Sequence, residues 1–167
     1  MELINAVVGI IQLVIAIILA VVALYIGFSV LGKITKGIEE EKEIAKGNAA
    51  VGILVASVFI AIGIVVQSGV VGISRGISAA LSVFTTDITL AIAILVVSVV
   101  QLLLGIVLAI VAIYLALNIL DKLTKGIDEF AELKKGNVAV ALEMAGVIIT
   151  TAIIIQSGVQ GITAALI

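Results

Sequence analysis

Long apolar segments alternate with short polar ones along this chain of 167 residues. Charged residues are absent from 3–32, 47–74, 88–120 and 144–167. Each of these stretches is longer than the ~20 residues that a helix needs to cross a ~30 Å hydrocarbon core. The pattern therefore predicts an all-α integral membrane protein with four transmembrane helices.

The second half of the chain repeats the first. A shift of 89 positions aligns 25–77 with 114–166 without a gap and gives 24 identities in 53 pairs. Lys-Gly-Asn, for example, occurs at 46–48 and again at 135–137. Each copy crosses the membrane twice, so both copies cross in the same sense, as in a parallel repeat with its pseudo-two-fold axis along the membrane normal. The four helices should therefore form two parallel-repeat helical hairpins.

The alignment also sets the predicted domain boundaries. Residue 2 is an acid and the first apolar run is too long for a signal peptide, so we expect the first span to be retained as a helix. The predicted units are a first two-helix repeat at 1–78 with spans at about 3–32 and 48–74, an outer linker at 79–87, and a second two-helix repeat at 88–167 with spans at about 88–120 and 138–166.

Basic residues indicate how the chain is oriented. All eight lysines lie in two segments, 33–47 and 121–136, and the rest of the chain carries a single basic residue, Arg75. The positive-inside rule places both lysine-bearing loops in the cytoplasm and both termini outside. We therefore expect a multi-pass protein of the cytoplasmic (inner) membrane, with the lipid bilayer as its first partner.

Composition agrees with this interpretation and narrows the chemistry. The chain is 63% hydrophobic with a mean hydropathy of +1.47, which excludes an ordinary soluble domain. It contains no Cys and no His, so it lacks the commonest metal ligand and the usual near-neutral base. Richness in Ile and Val without Cys, His or Pro also favours a prokaryotic source.

The two lysine-bearing loops follow a shared plan. Gly37 and Gly126 are expected to end helices by adopting positive φ. Ile127, Phe130 and Leu133 recur every three residues between acids, which predicts a short amphipathic helix resting on the membrane surface. The next span of each copy should begin after an asparagine, since this side chain is a good helix N-cap. The predicted N-caps are Asn48 and Asn137.

These loop residues carry a family resemblance that covers nearly the whole chain. The matching positions are Tyr25, Thr35, Gly47, Asn48 and Ala50 in the first copy, and Tyr114, Thr124, Gly136, Asn137 and Ala139 in the second. In this pattern the chain resembles the domain of unknown function family number 350, whose members are YjfL-type bacterial and archaeal inner-membrane proteins. The resemblance implies membrane location and a tandem-duplicated four-span topology. It implies no reaction.

Four glutamines fall at one predicted depth within the spans. Each is 21 residues from a loop lysine, or about 31 Å along a helix, close to the outer edge of the core. They are Gln12, Gln67, Gln101 and Gln156. One interpretation is a ring of amides that lines an outer vestibule. The other is hydrogen bonding between helices that fixes their packing.

Glu143 is the only acid well inside a span. It lies eight residues past Lys135, about 12 Å into the membrane, and its counterpart in the first copy is Leu54. An acid at that depth should face protein or water rather than lipid. Tyr114 lies at matching depth on the preceding helix, which predicts a hydrogen bond to Glu143. Tyr25, the repeat mate of Tyr114, completes the set of intramembrane polar candidates.

Glu143 allows two interpretations. It could bind a proton or cation in a permeation path, or it could be a neutral side chain, or one paired with Lys134 or Lys135. It has no counterpart in the first copy, which argues against a symmetric site within one chain. One Glu per chain could still form a ring in a homo-oligomer.

Small residues recur at four-residue spacing on the second helix of each repeat. Such faces let helices approach closely, within one chain or between chains. The predicted helix-packing residues are Ser68, Gly72, Gly76, Ser157, Gly161 and Ala165.

The sequence thus leaves two functional classes open. The first is a small ion or solute channel or transporter with Glu143 in its path, which we favour because an intramembrane acid is by default a functional-site hypothesis. The second is a non-catalytic, homo-oligomeric membrane scaffold that recruits a cytoplasmic protein at 33–47 and 121–136. We expect no enzyme activity, no cofactor, no metal site and no nucleic-acid partner, because catalytic constellations, phosphate loops and an excess of basic charge are all missing.

Overall fold

The computed structural model describes residues 2–35, 37–124 and 126–166, and within them the side chains except those of 2–5, 8, 30–34 and 162–166. In these ranges the chain is helical and contains no strand. The helices in chain order are α1 Glu2–Ile34, α2 Glu40–Ala45, α3 Ala49–Val83, α4 Ile88–Leu123, α5 Glu129–Lys134 and α6 Val138–Leu166.

Four of these helices are long and apolar enough to cross a membrane, which confirms the predicted fold class. The membrane-length segments are Gly9–Ser29 within α1, Ala49–Val83 and Ile88–Leu123, which are all of α3 and α4, and Val138–Gly161 within α6. The short helices α2 and α5 connect the two long helices of each repeat.

Helix α3 is longer than the second predicted span. It continues through the first part of the predicted outer linker 79–87 and ends at Val83. Residues 79–83 contain neither Gly nor Pro, so no residue there interrupts the helical hydrogen bonds. The remaining connection is short, and Asp87 starts α4 by accepting a hydrogen bond from the backbone N–H of Leu90 at 2.9 Å.

Helix α3 is the centre of the bundle. It packs against α1, α4 and α6, and its most extensive contact is with α6, the equivalent helix of the other repeat. Helices α4 and α6 also pack together, whereas α1 packs mainly along α3 and makes no substantial contact with α6 in the described residues. The arrangement is therefore not a closed pseudo-two-fold bundle, because α4 lies against α3 while the equivalent contact, α1 against α6, is missing.

Glycines mark the places where the long helices approach most closely. A Cβ atom on Gly69 of α3 would lie 2.0 Å from Cδ1 of Leu102 on α4. One on Gly76 would lie 1.9 Å from Oγ of Ser98, also on α4. Only glycine leaves room for these partners, so the α3–α4 contact depends on two specific small-to-large pairs.

The interior of the bundle is apolar. Its core includes Ala61 on α3, Ile113 on α4, and Ile148 and Ala152 on α6. The outward faces of the long helices also carry large apolar side chains, such as Ile10, which is 62% exposed. An apolar exterior of this kind is what a bundle needs when lipid surrounds it.

The short helix α5 differs from its predicted position. Phe130 and Leu133 are buried in the protein core rather than turned toward a bilayer surface, and only Ile127 of the predicted apolar face is exposed. The ends of α3 and α6 offer apolar surface that these side chains cover. In the first repeat, α2 buries Ile38 beside it and leaves Ile44 exposed.

Candidate functional site

The turn before each second helix is built identically in the two repeats. Gly47 and Gly136 adopt φ of +81° and +82°, which few other residues tolerate. Oδ1 of Asn48 then accepts hydrogen bonds from the backbone N–H of Ala50 at 3.1 Å and of Val51 at 3.3 Å. These bonds satisfy donors that would otherwise be free at the start of α3.

The same arrangement starts α6. Oδ1 of Asn137 accepts from the backbone N–H of Ala139 at 3.1 Å and of Val140 at 3.4 Å. Gly37 and Gly126, the predicted helix-ending residues, have φ of +80° and +98°, so their predicted positive φ is confirmed.

A carboxylate fixes each capping asparagine from below. Nδ2 of Asn48 donates to Glu43 at 3.1 Å, and Nζ of Lys46 donates to the same carboxylate at 2.7 Å. These two donors, the lysine first and the asparagine second, lower the pKa of Glu43. The carboxylate therefore stays ionised at neutral pH and holds the asparagine amide in its capping orientation.

The second repeat contains the equivalent cluster. Nδ2 of Asn137 donates to Glu132 at 2.9 Å and Nζ of Lys135 donates to it at 2.6 Å. Both bonds lower the pKa of Glu132, with the asparagine as the larger cause, and the carboxylate in turn raises the pKa of Lys135.

A buried threonine–glutamate pair ties each loop together, and our reading of the sequence did not single it out. Oγ1 of Thr35 donates to Glu40, and Oγ1 of Thr124 donates to Glu129. The Glu129 side chain is only 1% exposed, and its second oxygen has no partner in the described structure. The recurrence of Thr and Glu five residues apart in both copies was the signal that could have revealed these pairs.

One hydrogen bond joins the two repeats at this end of the bundle, which we call the lysine end (residues 35–48 and 124–137). Nδ2 of Asn48 also donates to the backbone carbonyl of Leu133 at 2.9 Å. The equivalent donor on Asn137 is engaged only with Glu132 among the described residues. The first asparagine therefore connects two repeats, while the second serves one.

Glu143 and the tyrosines all lie on the outside of the bundle. Glu143 is the sixth residue of α6 and is exposed. Tyr114 is 48% exposed and Tyr25 is 77% exposed. Among the described residues no hydrogen bond joins Tyr114 to Glu143, so the predicted bond is absent. Equal depth on neighbouring helices did not bring the side chains together, because both point away from the helix contact.

The glutamines occupy different surroundings. Gln67 is exposed, Gln12 and Gln156 are half-buried, and Gln101 is buried at 8% exposure. Both side-chain polar atoms of Gln101 lack a hydrogen-bond partner in the described structure. Gln101 lies in an apolar cleft of about 300 Å³ along α4, and Gln67 lies in one of about 310 Å³ between α1 and α3.

The small-residue positions also differ between the repeats. Ser68, Gly72 and Gly76 on α3 are buried within the chain. Ser157 and Gly161 on α6 are exposed, and the side chain of Ala165 lies outside the described residues. In the described ranges no three acidic side chains converge as they would around a metal ion.

Comparison with known proteins identifies the family. The model of the family described as Domain of Unknown Function (DUF350) matches residues 5–105 and 95–167. The chain belongs to this family, and the two overlapping matches agree with a tandem duplication of the domain. No curated protein and no solved structure matches the chain.

Proposed function

We propose that this protein is a non-catalytic membrane scaffold that assembles into homo-oligomers and displays its lysine end to a cytoplasmic partner protein. The observation that carries the proposal is the closed, apolar interior of the four-helix bundle. A channel or transporter built from a single chain needs a polar path through the bundle, lined by groups that replace water around the solute.

The described cavities offer no such path. The cavity enclosed between α1, α3 and α4 holds about 20 Å³ and is lined by apolar residues such as Ile62, Val65 and Ile113. The two larger clefts are also apolar, with Gln67 or Gln101 as the one polar side chain in each. Glu143 lines none of the three. These features support the scaffold over a path within one chain.

The lysine end supports the recruiting role. Its exposed charges stand on short helices that the capping clusters and the threonine–glutamate pairs hold in place. Lys42 pairs with Glu39 on the surface of the first repeat, and Lys134 and Lys135 are exposed on the second. Ordered charges of both signs suit a complementary protein surface.

One observation keeps a second candidate open. Glu143 lies within a membrane-spanning helix and is exposed on the outside of the bundle. Lipid is an expensive environment for an acid, so a partner or water should cover this side chain. In an oligomeric channel, one Glu143 from each chain would line a path between chains.

Flux measurements separate these two candidates. The wild type and the Glu143→Gln variant are reconstituted into proteoliposomes and tested with monovalent cations, anions and a proton gradient. The scaffold predicts no flux above that of empty liposomes from either protein, with circular dichroism showing both to be helical. Wild-type flux that Glu143→Gln abolishes would establish the channel instead. Flux that the substitution leaves unchanged would also overturn the scaffold and would place the path elsewhere.

A further inference from the structure

The two repeats are nearly the same unit in different surroundings, and one face records the difference. Several positions on α3 are buried, while the residues 89 positions later on α6 are exposed. They are separated by three or four residues, so they form one face of each helix. The buried members are Leu54, Ala61, Val65, Ser68, Gly69 and Gly72, and the exposed counterparts are Glu143, Thr150, Ile154, Ser157, Gly158 and Gly161.

The following repeat covers this face of α3. Leu102 of α4 lies directly over Gly69, and it is 1% exposed as a result. Val65 lines a small cavity together with Ile106 and Ala109, also on α4. The face of α3 is therefore buried by the first helix of the next repeat along the chain.

Helix α1 carries the same covering residues as α4, but it has nothing to cover. Leu13, Ile17 and Ala20 are identical in type to Leu102, Ile106 and Ala109 at the shift of 89. Leu13 is 60% exposed and Ile17 is 55% exposed. On α6, a Cβ atom at Gly158 would meet nothing within 4 Å. Both halves of the Gly69–Leu102 contact are thus present a second time, unpaired, at opposite ends of the chain.

The lysine end shows the same relation independently of the long helices. Within the chain, Asn48 of the first repeat binds the carbonyl of Leu133 in the second, and Leu133 is 0% exposed. The counterpart of Leu133 is Ile44, which is 44% exposed. The counterpart of Asn48 is Asn137, whose amide has a donor to spare. A second unpaired contact therefore lies at the other end of the same surface.

We propose that copies of this chain assemble head to tail, with α6 of one copy packed against α1 and α2 of the next, as α3 packs against α4 and α5 within the chain. This inference rests on the proposed scaffold and names its self-assembly surface. The argument is not that these faces are apolar, since lipid would cover an apolar face at little cost. It is that matched residues already form this contact once in the same molecule.

The proposed contact has two consequences. A head-to-tail interface uses different surfaces on the two partners, so it generates closed rings or open filaments rather than a two-fold dimer. Glu143 lies at the lysine end of the α6 face, and its counterpart Leu54 is 0% exposed. Assembly would therefore withdraw Glu143 from lipid and place it against the neighbouring copy.

Disulfide cross-linking tests the contact directly, because the natural chain contains no cysteine. The test variant carries Leu13→Cys and Gly158→Cys in the full-length protein, reconstituted in lipid and oxidised with copper phenanthroline. A Cβ on Gly69 would lie 3.3 Å from Cβ of Leu102, near the ~3.8 Å typical of disulfides, and the proposed contact should have similar geometry. We expect a ladder of dimers, trimers and longer products on a non-reducing gel.

Two controls are built from the same chain. Gly69→Cys with Leu102→Cys tests the template, and it should give an internal disulfide in a monomer without a ladder. Ile11→Cys with Gly158→Cys moves the first cysteine two residues, about 200° around α1 at nearly the same depth. Ile11 is 52% exposed, so this pair measures random collisions between neighbouring proteins.

The ladder in the Leu13 variant and its absence from the Ile11 variant would support the proposal. Equal ladders from both, products that stop at the dimer, or no cross-link while the template pair closes would each overturn it. Chain number in the uncross-linked wild type then separates the two proposals. Oligomers without the cross-link refute this surface and leave the scaffold standing, whereas isolated monomers refute both.

Discussion

At the residue scale, the two asparagine clusters show how identical residues acquire different roles. Asn48 and Asn137 cap α3 and α6 with the same backbone bonds, and a carboxylate holds each amide. Only Asn48 has a neighbouring repeat within reach, and it uses its second amide hydrogen to bind Leu133. The N-caps could be predicted from Lys-Gly-Asn, but the link between repeats could not, because it depends on which helices lie side by side.

Replacing the two asparagines separately measures this difference. Asn137→Ala removes one N-cap and should lower the free energy of unfolding of the monomer in detergent by about 1 kcal/mol. Asn48→Ala removes the equivalent cap and also leaves the Leu133 carbonyl unpaired, so it should cost about 2 kcal/mol. Denaturant titration followed by circular dichroism provides the values. Equal losses would show that the link to Leu133 contributes nothing.

At the element scale, the sequence predicts the helices better than it predicts their partners. Charge-free stretches located all four long helices, since the length needed to cross a bilayer is a strong constraint. Helix α3 outran its predicted end because polar residues near Arg75 resemble a boundary, although none of them stops a helix. The apolar face of α5 was recognised, but its burial in the protein could not be predicted without the bundle above it.

The positions on the small-residue faces were also predicted, but not their partners. Gly72 and Gly161 are equivalent in sequence, and one is buried while the other is exposed. Periodicity identifies a packing face and is silent about whether another helix of the same chain covers it. The Tyr114–Glu143 prediction failed for the same reason, since counting residues gives depth without orientation.

A matched pair of glycine substitutions tests this difference between α3 and α6. Gly69→Leu forces a side chain against Leu102 and should destabilise the detergent-solubilised monomer by about 1–3 kcal/mol. Gly158→Leu makes the same change in open space and should alter the stability of the monomer by less than about 0.5 kcal/mol. Unfolding titrations in detergent compare the two. A similar loss from both would mean that α6 is already covered within the chain.

At the scale of the whole molecule, the chain is two consecutive units of a structure that it does not complete. The outgoing face of the first repeat is covered by the second repeat, whereas that of the second repeat is exposed. The incoming face on α1 is likewise exposed, and Leu13 on it repeats Leu102. A scaffold that grows by adding chains would use both open faces and would leave the closed interior of each bundle unchanged.

Counting the chains in single particles tests this account most directly. The wild-type protein, labelled with one fluorophore per chain, is observed in membrane vesicles at low density, and photobleaching steps are counted. The account predicts particles of three or more chains, and Gly158→Leu should shift them to single chains without unfolding the bundle. Wild-type particles that bleach in one step, or that never exceed two, would contradict head-to-tail assembly.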